Sequence, residues 1–204
     1  MYSTRLSQSR MEISRAAASL FWVDGVAATS GDDIAAAAGV STRTVWRNFR
    51  SKESSVEPIL AASAYRFLQS LRDWPLESSL EDHLLGGLDA DLTTAEVVDE
   101  VSAMRIIALT VDEPVLRSAW LMVCSEAERE FAPIVATRLG IDPDDPRARL
   151  AAATAAAAAR LVNETVSISI VRRGVAPDPR SVVHMLATAI AGSSRESFCD
   201  AIVR

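Results

Sequence analysis

The sequence predicts an all-α protein, and three observations carry that prediction. Apolar residues recur at three- and four-residue steps along almost the whole chain instead of alternating. Runs of β-branched residues are short, so little of the chain favours a strand. Residues that cap helices, followed by acidic side chains or proline, punctuate the chain at helix-length intervals. About nine helices are expected, arranged as an N-terminal three-helix head over residues 1–52 and a larger helical body over residues 53–204.

The first helix is expected from about Leu6 to Val23, with Ile13, Ala17, Leu20 and Phe21 on one stripe. Gly25 stops it. Ser30 then offers a hydroxyl to a short second helix, about Gly31 to Ala38, whose positively polarised first turn holds Asp32 and Asp33. Gly39 supplies a tight turn, and Ser41 caps a third helix that runs through Asn48. Ser51 is the expected cap of a fourth helix reaching about Arg72, with a bend or a delayed start at Pro58. Further helices are expected over Leu76–Leu88, Thr93–Thr110, Glu113–Leu139, Pro146–Arg172 and Pro179–Val203. Asp112-Glu113-Pro114 and Asp145-Pro146 read as helix starts, Gly140 and Gly174 as stops. Pro133 falls inside a long helix, where it can kink the backbone and open space beside it.

Composition sets outer bounds. With 204 residues, 49% of them hydrophobic, the chain can bury a substantial core without a metal or a disulfide. Cys124 and Cys199 lie far apart and lack a partner motif, which points to buried thiols in a reducing compartment. No stretch reaches the roughly 18 uninterrupted apolar residues of a membrane span, and Met1 to Arg5 lead into no apolar signal core. A cytoplasmic protein without membrane contact is expected. The net charge of -6 hides an asymmetry. Residues 1–52 hold seven cations (Arg5, Arg10, Arg15, Arg43, Arg47, Arg50, Lys52) against four anions (Glu12, Asp24, Asp32, Asp33), or +3, which leaves -9 for the remainder. A basic head on an acidic body suits a protein whose head alone meets phosphate.

Two short capped helices about a glycine turn form a helix-turn-helix. The stretch from Thr29 to Glu53 carries Thr29-x-x-x-x-Ile34-Ala35, then Ala38-Gly39-Val40-Ser41, then an aromatic and Phe49 about the third helix, then Ser51-Lys52-Glu53. Together with Ile13, Ala17, Leu20, Phe21 and Gly25 upstream, it resembles the signature of the TetR family of transcriptional repressors. Three positions depart from that pattern: Trp46 stands where tyrosine is usual, Ser55 where leucine is usual, and Gly31 where a branched apolar residue is common. The first is expected to alter the footprint of the third helix, the other two to weaken packing locally.

A recognition helix presents side chains to base edges in the major groove while its apolar side anchors it to the head. Val45 and Phe49, four residues apart, face inward. Thr42, Arg43, Thr44, Trp46, Arg47 and Asn48 remain to face double-stranded operator DNA, with Arg43 and Arg47 the leading base or phosphate contacts and Ser41 at the helix start. The resemblance places an aromatic near the DNA backbone at Trp46 and a phosphate-contacting lysine at Lys52, which is the sole lysine of the sequence. Thr29, Ser30 and the amides that follow are expected to touch phosphate as well.

One short helix reads few base pairs, so two heads are needed and the body is expected to form a homodimer. The resemblance assigns the pairing to the last two helices. There the alanine run Ala151–Ala159 permits close approach, unless it packs only within its own chain, and Leu161, Val166, Ile168, Ile170, Val183, Leu186, Ile190, Phe198 and Ile202 add bulk. An effector pocket for a mainly apolar small molecule is expected among Phe67, Leu71, Leu84, Leu88, Met104, Arg105, Ile107, Leu121, Glu126, Phe131 and Asn163. His83 and His184 have no ligand spacing around them, and no nucleophile elbow, phosphate loop or dinucleotide fingerprint is present, so neither metal, cofactor nor enzymatic activity is expected. A helical ligand- or partner-binding module without specific DNA binding, and an activator built on the same residues, are the alternative readings.

Overall fold

The computed structural model describes residues 2–88 and 92–202, with side chains from residue 8 onward. All regular structure among them is helical: α1 (Tyr2–Val23), α2 (Gly31–Ala37), α3 (Thr42–Asn48), a 3-10 turn (Glu53–Val56), α4 (Glu57–Arg72), α5 (Leu80–Gly86), α6 (Thr94–Leu109), α7 (Pro114–Leu139), α8 (Pro146–Arg173) and α9 (Pro179–Ser193). No described helix is long and apolar enough to cross a membrane.

The chain forms two compact units, one of residues 1–63 with 92–123 and one of residues 64–91 with 124–204. In the first, Ile13, Ala17 and Phe21 of α1 are buried, as are Ile34 and Ala35 of α2, Val45 of α3, and Ile59 and Leu60 of α4. Pro58 sits at the second position of α4, where its missing amide costs no helical bond, and the helix proper is delayed behind the 3-10 turn. The next amide, Ile59 N–H, is among those a helix start leaves without a partner, and it donates to the buried Ser14 hydroxyl of α1 at 3.1 Å.

Helix α6 packs on α1 within the same unit. Its start is closed by a capping box between Thr93 and Glu96. Arg15 of α1 donates through Nε and an Nη to the two carboxylate oxygens of Asp99, both at 2.8 Å, and Asp99 is buried. That bond is the main reason the guanidinium is held above its ordinary pKa. Arg105 of α6 lies 5.2 Å from the ring centre of Trp22 on α1, a cation–π contact.

The second unit is centred on Leu68, Leu71, Trp74, Leu80, Phe131, Val135, Ala151, Ala152, Ala155, Ala187, Ile190 and Phe198. Alanines 151, 152 and 155 therefore serve close packing inside the chain, with α9 laid against α8. Ile190 and Phe198 are fully buried there as well, so they are not free to supply bulk to a partner, as the sequence reading expected. Leu150, Ala157, Leu161 and Met185 remain exposed on these two helices. Gly174 ends α8 with a φ of 65°, a conformation that a side chain would strain.

Two helices are shorter than expected. α5 starts at Leu80 because the Ser79 hydroxyl accepts from Asp82 N–H at 3.1 Å and so caps the helix there. α9 ends at Ser193, whereas the sequence pattern suggests continuation to Val203, a residue outside those described. The chain beyond α9 instead folds back, and Arg138 of α7 fastens it. The Arg138 guanidinium donates to the carbonyls of Phe198 (2.6 Å), Asp200 (2.6 Å), Pro75 (2.9 Å) and Ser78 (3.2 Å). It also lies 3.5 Å from the ring centre of Trp74. Burial lowers its pKa from the ordinary arginine value. Backbone bonds Leu80 N–H to Cys199 O and Ile202 N–H to Leu76 O, both 2.8 Å, complete the attachment. Pro75, Leu76 and Ser78 thus have partners outside any helix.

Candidate nucleic-acid interface

The α2–turn–α3 segment is set by local chemistry. Ser30 caps α2 and closes a capping box: its hydroxyl accepts from Asp33 N–H at 3.1 Å, while the Asp33 carboxylate accepts from Ser30 N–H at 2.8 Å and from the Ser30 hydroxyl at 2.6 Å. These bonds, the hydroxyl's first, hold the Asp33 carboxyl below the usual carboxylate range. Gly39 takes a φ of 66°, and Val40 N–H returns to Ala35 O at 2.9 Å, so the chain reverses within two residues. Ser41 then caps α3 by accepting from Thr44 N–H at 3.2 Å. A further bond, from the Thr42 hydroxyl to Asp32 at 2.6 Å, ties the start of α3 to the first turn of α2.

Helix α3 is anchored by Val45, which is fully buried, and by Phe49 at its end, which is buried beneath the Arg10 guanidinium. Arg43, Trp46 and Arg47 are exposed on its other side, one turn apart. Among the described residues neither Arg43 nor Arg47 has an ion-pair or hydrogen-bond partner. Arg50, by contrast, is paired with Glu57. Ser30 and Ser41 are exposed, and Thr42, Thr44 and Asn48 are partly buried, with the Asn48 amide donating to Thr44 O at 2.8 Å.

Two expected phosphate contacts have inward partners. Thr29 is 3% exposed, and its hydroxyl donates to Gly25 O at 2.8 Å. The partly buried Lys52 ammonium donates to Val26 O at 2.6 Å and to Thr29 O at 2.7 Å, bracing the loop between α1 and α2 against the 3-10 turn. One of its three protons remains for an outside acceptor.

The three departures from the family pattern also find a place. Gly31 is buried under the Trp46 indole, and a Cβ at residue 31 would lie 2.8 Å from Cη2 and 2.9 Å from Cε2 of that ring, closer still to Cζ2. The missing side chain is thus compensated by the larger aromatic. Ser55 is fully buried, and its hydroxyl donates to Lys52 O.

The expected effector-pocket residues fall in both units. Met104, Arg105, Ile107 and Leu121 belong to the first, and Phe67, Leu71, Leu84, Leu88, Glu126, Phe131 and Asn163 to the second. Leu71 and Phe131 are buried core, with Phe67 and Leu84 packed on it. Ile107 is buried, Leu88, Arg105, Leu121 and Glu126 are exposed, and Met104 and Asn163 lie between. A groove of about 460 Å³ in the second unit is lined by Leu71, Trp74, Pro133, Ile134, Arg129 and Thr137 among others, and Leu71 is its one residue from the expected set.

Residues 13–56 match the profile of bacterial regulatory proteins of the tetR family. Over 165 residues the chain is 31% identical to the HTH-type transcriptional regulator TcmR of Streptomyces glaucescens, an overlap covering 78% of this chain and 73% of that protein. The chain belongs to the TetR family of transcriptional regulators. Solved structures share this TetR-family fold. GusR of Salmonella enterica is 23% identical with a TM-score of 0.54, over 93% of this chain and 96% of that one. The multidrug binding protein EbrR, complexed with imidazole, is 18% identical with a TM-score of 0.50, over 88% of this chain and 93% of that one. The helix-turn-helix of this TetR-family regulator is α2 and α3.

Proposed function

We propose that this regulator is a repressor that binds palindromic operator DNA as a homodimer and is released by a small, mainly apolar effector. Residues 1–52 act as the DNA-binding head and residues 53–204 as the effector-binding and dimerisation body. The observation that carries the reading is the pair Arg43 and Arg47: exposed, one turn apart, without partners among the described residues, on a helix whose opposite side is locked by Val45 and Phe49. Guanidinium groups so placed suit guanine edges and phosphates in the major groove.

The outward residues Leu150, Ala157, Leu161 and Met185 on α8 and α9 support pairing of two copies through those helices, which sets two heads about one helical turn of DNA apart. The imidazole complex of EbrR supports a ligand-binding body. In the first unit, the Arg15–Asp99 and Arg105–Trp22 contacts link α6 to the helix that carries the head, so a shift of α6 biases the head between binding and non-binding arrangements. Fluorescence anisotropy against duplexes flanking the protein's own gene, with sedimentation of the same complexes, tests the reading. Saturable binding of two chains per site at physiological salt is expected. A monomer on DNA, or affinity equal to that for unrelated duplex, would reject it.

A further inference from the structure

We propose that Gly31 and Trp46 act as one unit that fixes how the recognition helix meets DNA, an inference that rests on the operator-binding reading above. Gly31 opens α2 with ordinary helical backbone, since its φ is not among the positive ones. Its lack of a side chain therefore answers to no demand of the backbone, and glycine is the poorer helix former. What it answers to is space. The six-membered ring of Trp46 fills the position that a Cβ would take, 2.8 Å from Cη2 and 2.9 Å from Cε2, so the ring or the backbone beneath it would have to give way to any side chain.

Held in this way, the indole is pinned against α2 yet 47% exposed, on the same side of α3 as Arg43 and Arg47. Among the described residues its Nε1–H donates to nothing. A rigid ring with a free donor beside two free guanidiniums forms a fixed wall that can press on a sugar-phosphate backbone and donate to a phosphate oxygen. Because the ring has only two torsions and lies against α2 in the space the glycine leaves, little ordering is left to be done on binding. The Gly31–Trp46 pair sets the depth and tilt of α3 in the groove, and neither residue does so alone.

A double-mutant cycle on the full chain tests this: wild type, Gly31→Val, Trp46→Tyr and the double variant, titrated against the operator duplex at one fixed salt concentration, with thermal unfolding followed in parallel. Gly31→Val alone is expected to weaken operator binding about tenfold by expelling the indole, and the double variant to recover most of that loss. Melting should show the same dependence, with the valine destabilising the chain that holds Trp46 and not the chain that carries Trp46→Tyr. Where Gly31→Val fails to fold, Gly31→Ala replaces it in the cycle. Losses that simply multiply, or a Gly31→Val chain that binds as tightly as wild type, overturn the proposal while leaving the operator reading intact. A wild-type chain that binds none of the duplexes removes both.

Discussion

Replacing Lys52 by methionine separates two jobs that the side chain could do. Its ammonium donates at 2.6 Å and 2.7 Å to the carbonyls of Val26 and Thr29, both in the loop that carries the chain from α1 to α2. A hydrogen bond to a charged group contributes about 1.5–3 kcal/mol when buried. Lys52 is only partly buried, so the pair together is expected to contribute about 1–3 kcal/mol. For a chain of this length that corresponds to a fall in Tm of about 2–12 °C, read by circular dichroism. Affinity for DNA should fall with the loosened loop, while the dependence of log K on log salt keeps its slope, because no phosphate contact has been removed. A lysine that acts chiefly on phosphate gives the opposite pair: an unchanged Tm and a slope reduced by about 1.8, about 0.9 for each of the two lysines of a homodimer. That outcome would refute the brace.

Three further expectations concern the scaffold. Arg138→Ala leaves the carbonyls of Phe198 and Asp200 without a donor, while Pro75 O keeps Ser78 N–H and Ser78 O keeps Trp74 Nε1–H, at a cost of about 2–4 kcal/mol; an unchanged urea midpoint would contradict the clamp. Burial pushes the Cys199 thiol from 9.0 up to about 12, so the folded state favours the neutral thiol. Its stabilising share is complete below pH 9.0 and is lost as pH rises from there towards about 12, which Cys199→Ser should flatten in pH-dependent melts. Rapid labelling of Cys199 in the native protein at neutral pH would oppose this. Asp99→Asn weakens the bidentate bond to the half-exposed Arg15, with a loss of about 1 kcal/mol after solvent screening. Hydrogen exchange should rise at the α1–α6 contact, and uniform exchange in both chains would argue against a link there.

The sequence makes legible what is decided within a few residues. Ser30, Ser41 and Asp145 cap helices where their hydroxyls and carboxylates predict, and Gly25, Gly39, Gly140 and Gly174 take the positive φ expected of stops and turns. The buried side of the recognition helix, Val45 and Phe49, follows from spacing alone. What escapes is whatever depends on partners far along the chain. Lys52 and Thr29 read as surface phosphate contacts because nothing local reveals the carbonyls of Val26 and Gly25 that take their protons. The apolar pattern after Ser193 suits a helix, and only Arg138, some 60 positions earlier, explains why it turns back. Gly31 and Trp46 look like two separate irregularities until the ring is seen over the glycine.

The exposed side of α3 is the surface on which the proposed operator recognition depends. Titrating Arg43→Ala and Arg47→Ala chains against the operator duplex tests it most directly, with unrelated duplex as the reference. Each variant is expected to lose about 1–3 kcal/mol of specific binding without a change in melting temperature, because neither guanidinium has a partner among the described residues. Full operator affinity in both variants would contradict the assignment of α3 as the surface that reads DNA.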